Sequence, residues 1–353
     1  MIEQNRQDSL TKVFAGISDL SDKYAYVVII GATYHLMDVP NAFVVTCTIY
    51  TALGVLSILK SFNHEARPFF VMDLTPTKCW LEYGNPSGHS ITSTSLYLTM
   101  WDLLCRNYQV DKKTKVITLI VTLTVCLAIA FSRLYHGVHT YNQIFAGWGL
   151  GVGLYYLFCH VAYDRLTEFV RHTYKYSIKQ LIWNRGAQVF YCFYGIAIFN
   201  FLFGEWIHPQ PKEWIEKLKT NCKDTDFDIS PETENFIKFN LAATIAGSYI
   251  GLIIEQRWMG TRKFKIFHKT TPFMTFKRVI FTTMVGSPTL SLIVLCPKTG
   301  IHWSTKLLLK TIIPVSLGNL YLYACTKYIG YKCGVINETE VPSDVEEEPE
   351  TLK

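Results

Sequence analysis

The chain has 353 residues, of which 49% are hydrophobic and 14% aromatic but only 18% charged, below the roughly 25% charged of soluble domains. That balance excludes a disordered or fibrous chain. The net charge of +6 does not point to nucleic acid, because Lys and Arg fall mostly between apolar blocks, as they do in membrane proteins.

In chain order, segment 1–23 is polar and lacks the charged-then-apolar pattern of a cleavable signal peptide. Blocks free of Lys, Arg, Asp and Glu then cover 39–59, 116–132, 134–163, 186–204 and 279–297. A run of about 17 to 25 such residues is long enough to cross a bilayer. Helices are expected over 24–38, 42–59, 90–104, 116–133, 142–163, 187–203, 239–254, 279–295 and 307–328. The expected fold class is all-α, a polytopic membrane helical bundle with about nine transmembrane helices. It divides into the polar segment 1–23, a core over 24–163, further transmembrane helices and loops over 164–334, and an acidic, disordered tail over 335–353.

Charge assigns the sides. The segments 106–115, 165–185 and 257–278 are rich in Lys and Arg, which places them, with the C-terminal tail, in the cytosol. The segments 60–89, 134–141, 205–238 and 296–306 then face the lumen or the exterior, and the expected compartment is the endoplasmic reticulum. The sequon at Asn337 stays cytosolic and unglycosylated in this topology. The ten cysteines show no Cys-x-x-Cys pair, so neither a zinc site nor a disulfide framework follows. Cys79, Cys222 and Cys296 fall on the oxidising side, where one disulfide among them is allowed.

Three polar clusters interrupt the apolar pattern, all at helix mouths on the non-cytosolic side. Lys60 and Arg67 are seven residues apart, two helical turns, with Pro68 ending any helix there. Pro86-Ser87-Gly88-His89 opens the third expected helix, where a hydroxyl and free backbone amides make an anion site. Ser132-Arg133 ends the fourth, and His139 precedes the fifth. Three cations, a hydroxyl and amides at one place would hold a phosphate and the charge that develops as it transfers. Two histidines supply a nucleophile and a general acid. Any one of these cations alone would suit a snorkelling helix end. No metal-binding pattern accompanies them, so the expected reaction needs no metal or other cofactor. Glu65, Asp73 and Glu82 read as loop charges, and His64 and His136 as lining.

Lys60-x6-Arg67-Pro68, Pro86-Ser87-Gly88-His89 and Ser132-Arg133-x5-His139 resemble the three signature motifs of the type 2 phosphatidic acid phosphatase superfamily. That superfamily includes lipid phosphatases, glucose-6-phosphatase and the vanadium haloperoxidases, and the motifs cover roughly 60–163. The resemblance implies a haloperoxidase-like helical core with His139 as nucleophile, His89 as general acid, and Lys60, Arg67, Ser87, Gly88 and Arg133 holding the phosphate. It departs at Gln143, where the common third motif has Asp orienting the nucleophile. An amide oxygen there still accepts the imidazole N–H but brings no charge. Such an exchange costs about 10⁴-fold in the serine-protease relay, whereas glucose-6-phosphatases look to carry Gln at the matching place.

The favoured expectation is a metal-independent membrane phosphatase acting through a phosphohistidine on a lipid phosphate, such as a sphingoid-base phosphate or phosphatidate. The alternatives are a glucose-6-phosphatase-like sugar-phosphate hydrolase and an inactive phosphate-lipid binder. The expected partners are that substrate and membrane lipids, with no nucleic acid; the oligomeric state, the organelle and the cost of Gln143 stay open.

Overall fold

The computed structural model describes residues 8–222, 230–259 and 302–334, with 273, 276–278, 280, 281, 283 and 284. Every element among them is helical. The expected helix over 279–295, the tail 335–353 and Cys296 lie outside the described residues, apart from the positions just named.

The first half runs as α1 (Asp8–Asp19), α2 (Lys23–Leu36), α3 (Val39–Asn63), the single turn α4 (Pro68–Val71), α5 (Gly88–Asn107), α6 (Lys112–Tyr135) and α7 (Tyr141–Tyr156). The second half runs as α8 (Tyr163–Arg171), α9 (Ile178–Ile182), α10 (Arg185–Ile207), α11 (Lys212–Asn221), α12 (Pro231–Ala243), α13 (Ile245–Ile254), α14 (Trp303–Leu307), α15 (Ile313–Ala324) and α16 (Thr326–Lys332). Starts follow local chemistry. Asp38 accepts from Asn41 N at the start of α3, Asp111 from Lys113 N and Thr114 N at α6, and Ser230 from Thr233 N at α12, each satisfying amides that have no carbonyl within the helix. α3 stops at His64, whose left-handed φ of 45° turns the chain towards Arg67 and is uncommon for a side chain with a Cβ.

α3 is the axis of the bundle and packs against α2, α5, α8, α10 and α12. Its Phe43, Val44, Val45 and Ile49 join Tyr34 of α2, Leu96 and Leu103 of α5, Val170 of α8, Leu252 of α13 and Tyr323 of α15 in the largest apolar core. α6 and α10 instead present Ile120, Val121, Phe131, Phe199 and Leu202 outward, an exposed apolar surface that suits lipid rather than water.

Five helical runs among the described residues are long and apolar enough to cross a membrane: Val39–Val71, Lys112–Tyr135, Tyr141–Val161, Arg185–Ile207 and Pro231–Trp258. They correspond to five of the nine expected spans. α2 has only 14 residues, about 21 Å at 1.5 Å per residue. α5 is long enough but carries Ser90, Thr92, Ser93, Thr94, Ser95 and Thr99, all buried. Several of its hydroxyls bond back to its own turns, as Thr92 does to Gly88 O at 2.7 Å and Ser95 to Thr92 O at 3.2 Å. A helix enclosed by α3, α6 and α7 needs no lipid-compatible side chains, which is why its composition stays polar. The expected span 307–328 is a broken run, with a π turn over Leu308–Ile312 and a break at Cys325.

The polar segment 1–23 contains α1, which was not expected as a helix. Its Phe14 ring meets Phe131 and Tyr135 of α6 at 5.6 and 4.4 Å, so α1 lies over the end of α6. α5 and α7 approach closely because α7 carries no side chain where they touch. A Cβ on Gly147 would stand 2.8 Å from Ser87 O, and one on Gly151 2.9 Å from Ile91 O. These two glycines, four apart, bring the start of α7 onto the start of α5.

Candidate active site

Three stretches far apart in sequence meet at one end of the bundle: the last turn of α3 with the turn after it, the start of α5, and the corner between α6 and α7. Lys60 and Arg67 are 1% exposed, Arg133 3% and His139 4%. Four ionisable groups so deeply enclosed require partners within the cluster.

Arg67 is the hub. Its Nε donates to Glu82 O at 2.8 Å, Nη2 to Glu82 Oε1 at 2.7 Å and Nη1 to Val138 O at 3.0 Å, with His139 Nε2 only 3.2 Å from Nη1. Lys60 Nζ reaches the same Glu82 oxygen at 2.6 Å. Arg133 donates from Nη1 to Ser18 Oγ of α1, while its buried Nε has no hydrogen-bond partner. An unsatisfied buried guanidinium donor is costly unless an anion completes it.

At the start of α5, Ser87 is wholly buried and its side chain makes no capping bond. Its backbone N–H is not free, as the sequence suggested, but donates to Gln143 O at 2.9 Å. The first amides of α5 itself, at Gly88, His89 and Ser90, have no carbonyl one turn back and keep the partial positive charge of a helix N-terminus. His89 is half-buried at the second position of that helix, and burial, followed by Arg133, holds its imidazole well below the ordinary range, a shift that the negative charge of a bound phosphate would oppose.

His139 and Gln143 are set by the opening turn of α7. Gln143 is wholly buried, and its Oε1 accepts from Thr140 N at 3.3 Å and lies 3.0 Å from His139 Nδ1. Its Nε2 donates to Glu65 Oε1 at 2.8 Å and Ala66 O at 2.9 Å. A backbone N–H on one side and a carboxylate on the other fix which end of the amide is oxygen. Against an amide oxygen His139 must carry its proton on Nδ1, leaving the Nε2 lone pair towards Arg67. Burial, followed by Arg67, Lys60 and Arg133, holds the His139 imidazole well below its ordinary range, although the bond to Gln143 works the other way. Burial and these cations thus favour the neutral ring.

Sequence reasoning missed three residues. Glu82, read as a loop charge, is buried and also takes Lys238 Nζ on Oε2 at 2.5 Å. Burial opposes its ionisation, but Lys238, Lys60 and Arg67 outweigh that and hold the carboxyl well below the usual range. Lys238 of α12 also pairs with Glu234 at 3.1 Å and lies over Trp80 at 4.6 Å. Glu65, likewise read as a loop charge, is the carboxylate behind Gln143. Asp73 fits its reading, an exposed partner of Lys217. His64 and His136 lie beside the cluster, His64 Nε2 3.1 Å from Glu232 and His136 Nδ1 2.7 Å from Thr77. Neither Glu82, in a loop without periodicity, nor Lys238, far along the chain, carried a local signal.

A disulfide joins Cys79 to Cys222, whose Cα atoms are 6.0 Å apart. It ties α11 onto the loop 72–87, with Trp214 packed on Phe70. Trp214 and Leu218 thus face protein rather than a membrane interface, while Trp206 stays exposed. Closing so long a loop restricts the unfolded chain, so Cys79→Ser lowers unfolding free energy by about 2–5 kcal/mol. Thermal unfolding without reductant reads this. Cys222→Ser shows the same loss and the double variant no further loss, whereas additive losses would exclude the bond.

Residues 41–166 match the PAP2 superfamily, the family the motifs resemble. The matching segment runs from α3 through α7 to the start of α8, within a helical bundle that has membrane-type runs. Among curated proteins it is similar to phosphatidylglycerophosphatase B of Bacillus subtilis (strain 168), 26% identical over 156 residues that cover 43% of this chain and 75% of the relative. Among solved structures, a transmembrane PAP2 type phosphatidylglycerolphosphate phosphatase from Bacillus subtilis aligns with a TM-score of 0.41 and 23% identity, over 46% of this chain and 81% of that one.

Proposed function

We propose that the chain is an integral membrane phosphatase that hydrolyses a lipid phosphomonoester through a phosphohistidine. The observation that carries this reading is the neutral His139 with Nε2 directed at a cluster of Arg67, Lys60 and Arg133. Nε2 attacks phosphorus, the bond to the leaving oxygen breaks, and His89 gives that oxygen a proton. Water then attacks phosphorus, His89 takes its proton, and the electron pair of the N–P bond returns to the imidazole. Lys60, Arg67 and Arg133 with the Ser87 hydroxyl and the amide of Gly88 hold the phosphate oxygens and the charge that grows on them. Every charge in the scheme comes from this chain's own side chains, in keeping with a metal-independent reaction.

The substrate class follows from the setting. The site sits at the mouths of helices whose outer faces suit lipid, and the relative's name, phosphatidylglycerophosphatase, describes a lipid phosphomonoesterase. A sphingoid-base phosphate, phosphatidate and phosphatidylglycerophosphate share that chemistry. The disulfide beside the site and the Lys-rich opposite loops favour a lumenal or outer active site, with the C-terminus cytosolic and the endoplasmic reticulum as the compartment. Nine spans, four beyond the five qualifying runs, belong to the same proposal.

Phosphate release by purified protein in mixed micelles, offered the three lipids and glucose 6-phosphate in parallel, tests it. Turnover of a lipid monoester is expected. Hydrolysis of glucose 6-phosphate alone would replace the lipid reading by the sugar-phosphate one, and no turnover at all would leave a binder. Because burial and the facing cations Arg67, Lys60 and Arg133 depress the His139 pKa, the nucleophile stays neutral below ordinary imidazole pH. The acid limb of kcat/KM, which reports the free enzyme, therefore lies below about pH 6.5. A limb above that value would contradict a neutral, desolvated His139.

A further inference from the structure

We propose that Glu65 is a positioning residue whose carboxylate acts on His139 through the Gln143 amide, so that the charge absent from position 143 is supplied one residue further back. The inference rests on the reading of His139 as nucleophile. Gln143 looks, in isolation, like a weakened relay: it orients the imidazole but is neutral. The structure shows what stands behind it. Glu65, in the turn between His64 and Arg67, accepts from Gln143 Nε2 at 2.8 Å and Asn142 Nδ2 at 2.9 Å on Oε1, and from Asn85 Nδ2 at 2.6 Å on Oε2. Its own carbonyl accepts from Gly84 N at 2.7 Å. All three side-chain donors are amides, so the carboxylate serves only as acceptor and is held from several sides.

The result is a chain of two hydrogen bonds, His139 Nδ1 to Gln143 Oε1 at 3.0 Å and Gln143 Nε2 to Glu65 Oε1 at 2.8 Å. A carboxylate accepting from an amide N–H draws electron density onto the amide oxygen and strengthens the next bond in the chain. As the N–P bond forms, the imidazole keeps its Nδ1 proton and gains positive charge. Glu65 stabilises that charge through the polarised amide, and it prevents the amide from turning its NH₂ towards the ring. Gly84 is part of the same arrangement: a Cβ there would stand 2.5 Å from Gln143 Nε2, so the amide reaches Glu65 only past a residue without one.

The test uses the full chain in detergent and whichever lipid monoester it turns over. Glu65→Gln keeps shape and an acceptor oxygen but removes the charge, and it lowers kcat about 10- to 100-fold, the range of an outer-shell partner, with KM within about twofold and the thermal midpoint unchanged. Glu65→Ala gives an equal or larger loss. On a Gln143→Ala background the same Glu65 substitutions change kcat by less than about twofold, because the link is already cut. Unchanged kcat in Glu65→Gln, or an equal fold-loss on both backgrounds, would overturn the relay and leave the phosphatase reading intact. Undiminished turnover in His139→Ala would remove that reading and the relay with it.

Discussion

His139→Ala abolishes phosphate release, with kcat lower by on the order of 10⁴- to 10⁶-fold, the scale on which removal of a nucleophile registers. Two features of the site make the loss so large. Nε2 is the ring nitrogen left unprotonated by the Gln143 contact, and it lies 3.2 Å from Arg67 Nη1, where phosphate oxygens would be gripped. Among the described residues no other imidazole is equivalently placed: His89 opens α5 and is the proposed acid, and His136 is engaged with Thr77. The variant folds, because the Gln143 amide keeps Thr140 N, Glu65 and Ala66 as partners. Initial rates on the preferred lipid, with the thermal midpoint as control, read the outcome. A residual rate within about tenfold of wild type would place the chemistry on another residue.

Arg67→Ala gives the second largest loss, about 10³-fold in kcat/KM, and unlike His139→Ala it also destabilises the fold. One guanidinium serves the Glu82 backbone and carboxylate, the Val138 carbonyl and the His139 ring. Its removal leaves Glu82 with Lys60 and Lys238 alone and strands a buried carbonyl, at a cost of about 3–5 kcal/mol for one member of a buried charged group. Arg67→Lys separates the two effects. A lysine keeps the charge but not the planar fork, so it recovers part of the stability and still loses about 10²-fold in kcat/KM. Chemical unfolding beside kinetics on both variants checks this; full activity in Arg67→Lys would show that charge alone suffices.

Much of the site was readable from the sequence because membrane spans tolerate few charges. Against that background Lys60, Arg67, Arg133, His89 and His139 stood out, and their places at helix ends followed from the apolar blocks. The structure brings Lys60, Arg67 and His139 into one bonded cluster and sets Arg133 and His89 beside it. The residues that were not readable are those whose role depends on a contact across the fold. Glu65 and Glu82 sit in a polar loop, where a carboxylate normally needs no explanation. Only the closure of 64–87 over α7 and α12 buries Glu82 under three cations and lays Glu65 behind Gln143. Lys238 lies in α12, beyond the segment that matches the PAP2 superfamily, and no local pattern connects it to the motifs. Its approach to Glu82 comes from the packing of α12 on α3.

The same logic separates the readable helices from the others. Lys112–Tyr135 and Arg185–Ile207 lie mostly exposed and are strongly apolar on average, so composition alone reveals them. α5 is enclosed by protein and filled with Ser and Thr, and α1 is amphipathic in a segment whose polarity masked it. A polar composition identifies what a helix does not face, and here both helices face the rest of the bundle.

The most direct measurement is the trapping of the covalent intermediate. Wild-type protein mixed rapidly with a lipid monoester carrying a radiolabelled phosphate, then quenched in base and digested, should yield label on the peptide that contains His139, stable in base and released in acid as a phosphoramidate is. His89→Ala, which removes both the proton for the leaving oxygen and the base for the water, should slow the appearance of the label and its loss alike. Label on another residue, or phosphate release from wild type and His139→Ala at comparable rates, would contradict a phosphohistidine formed in this cage.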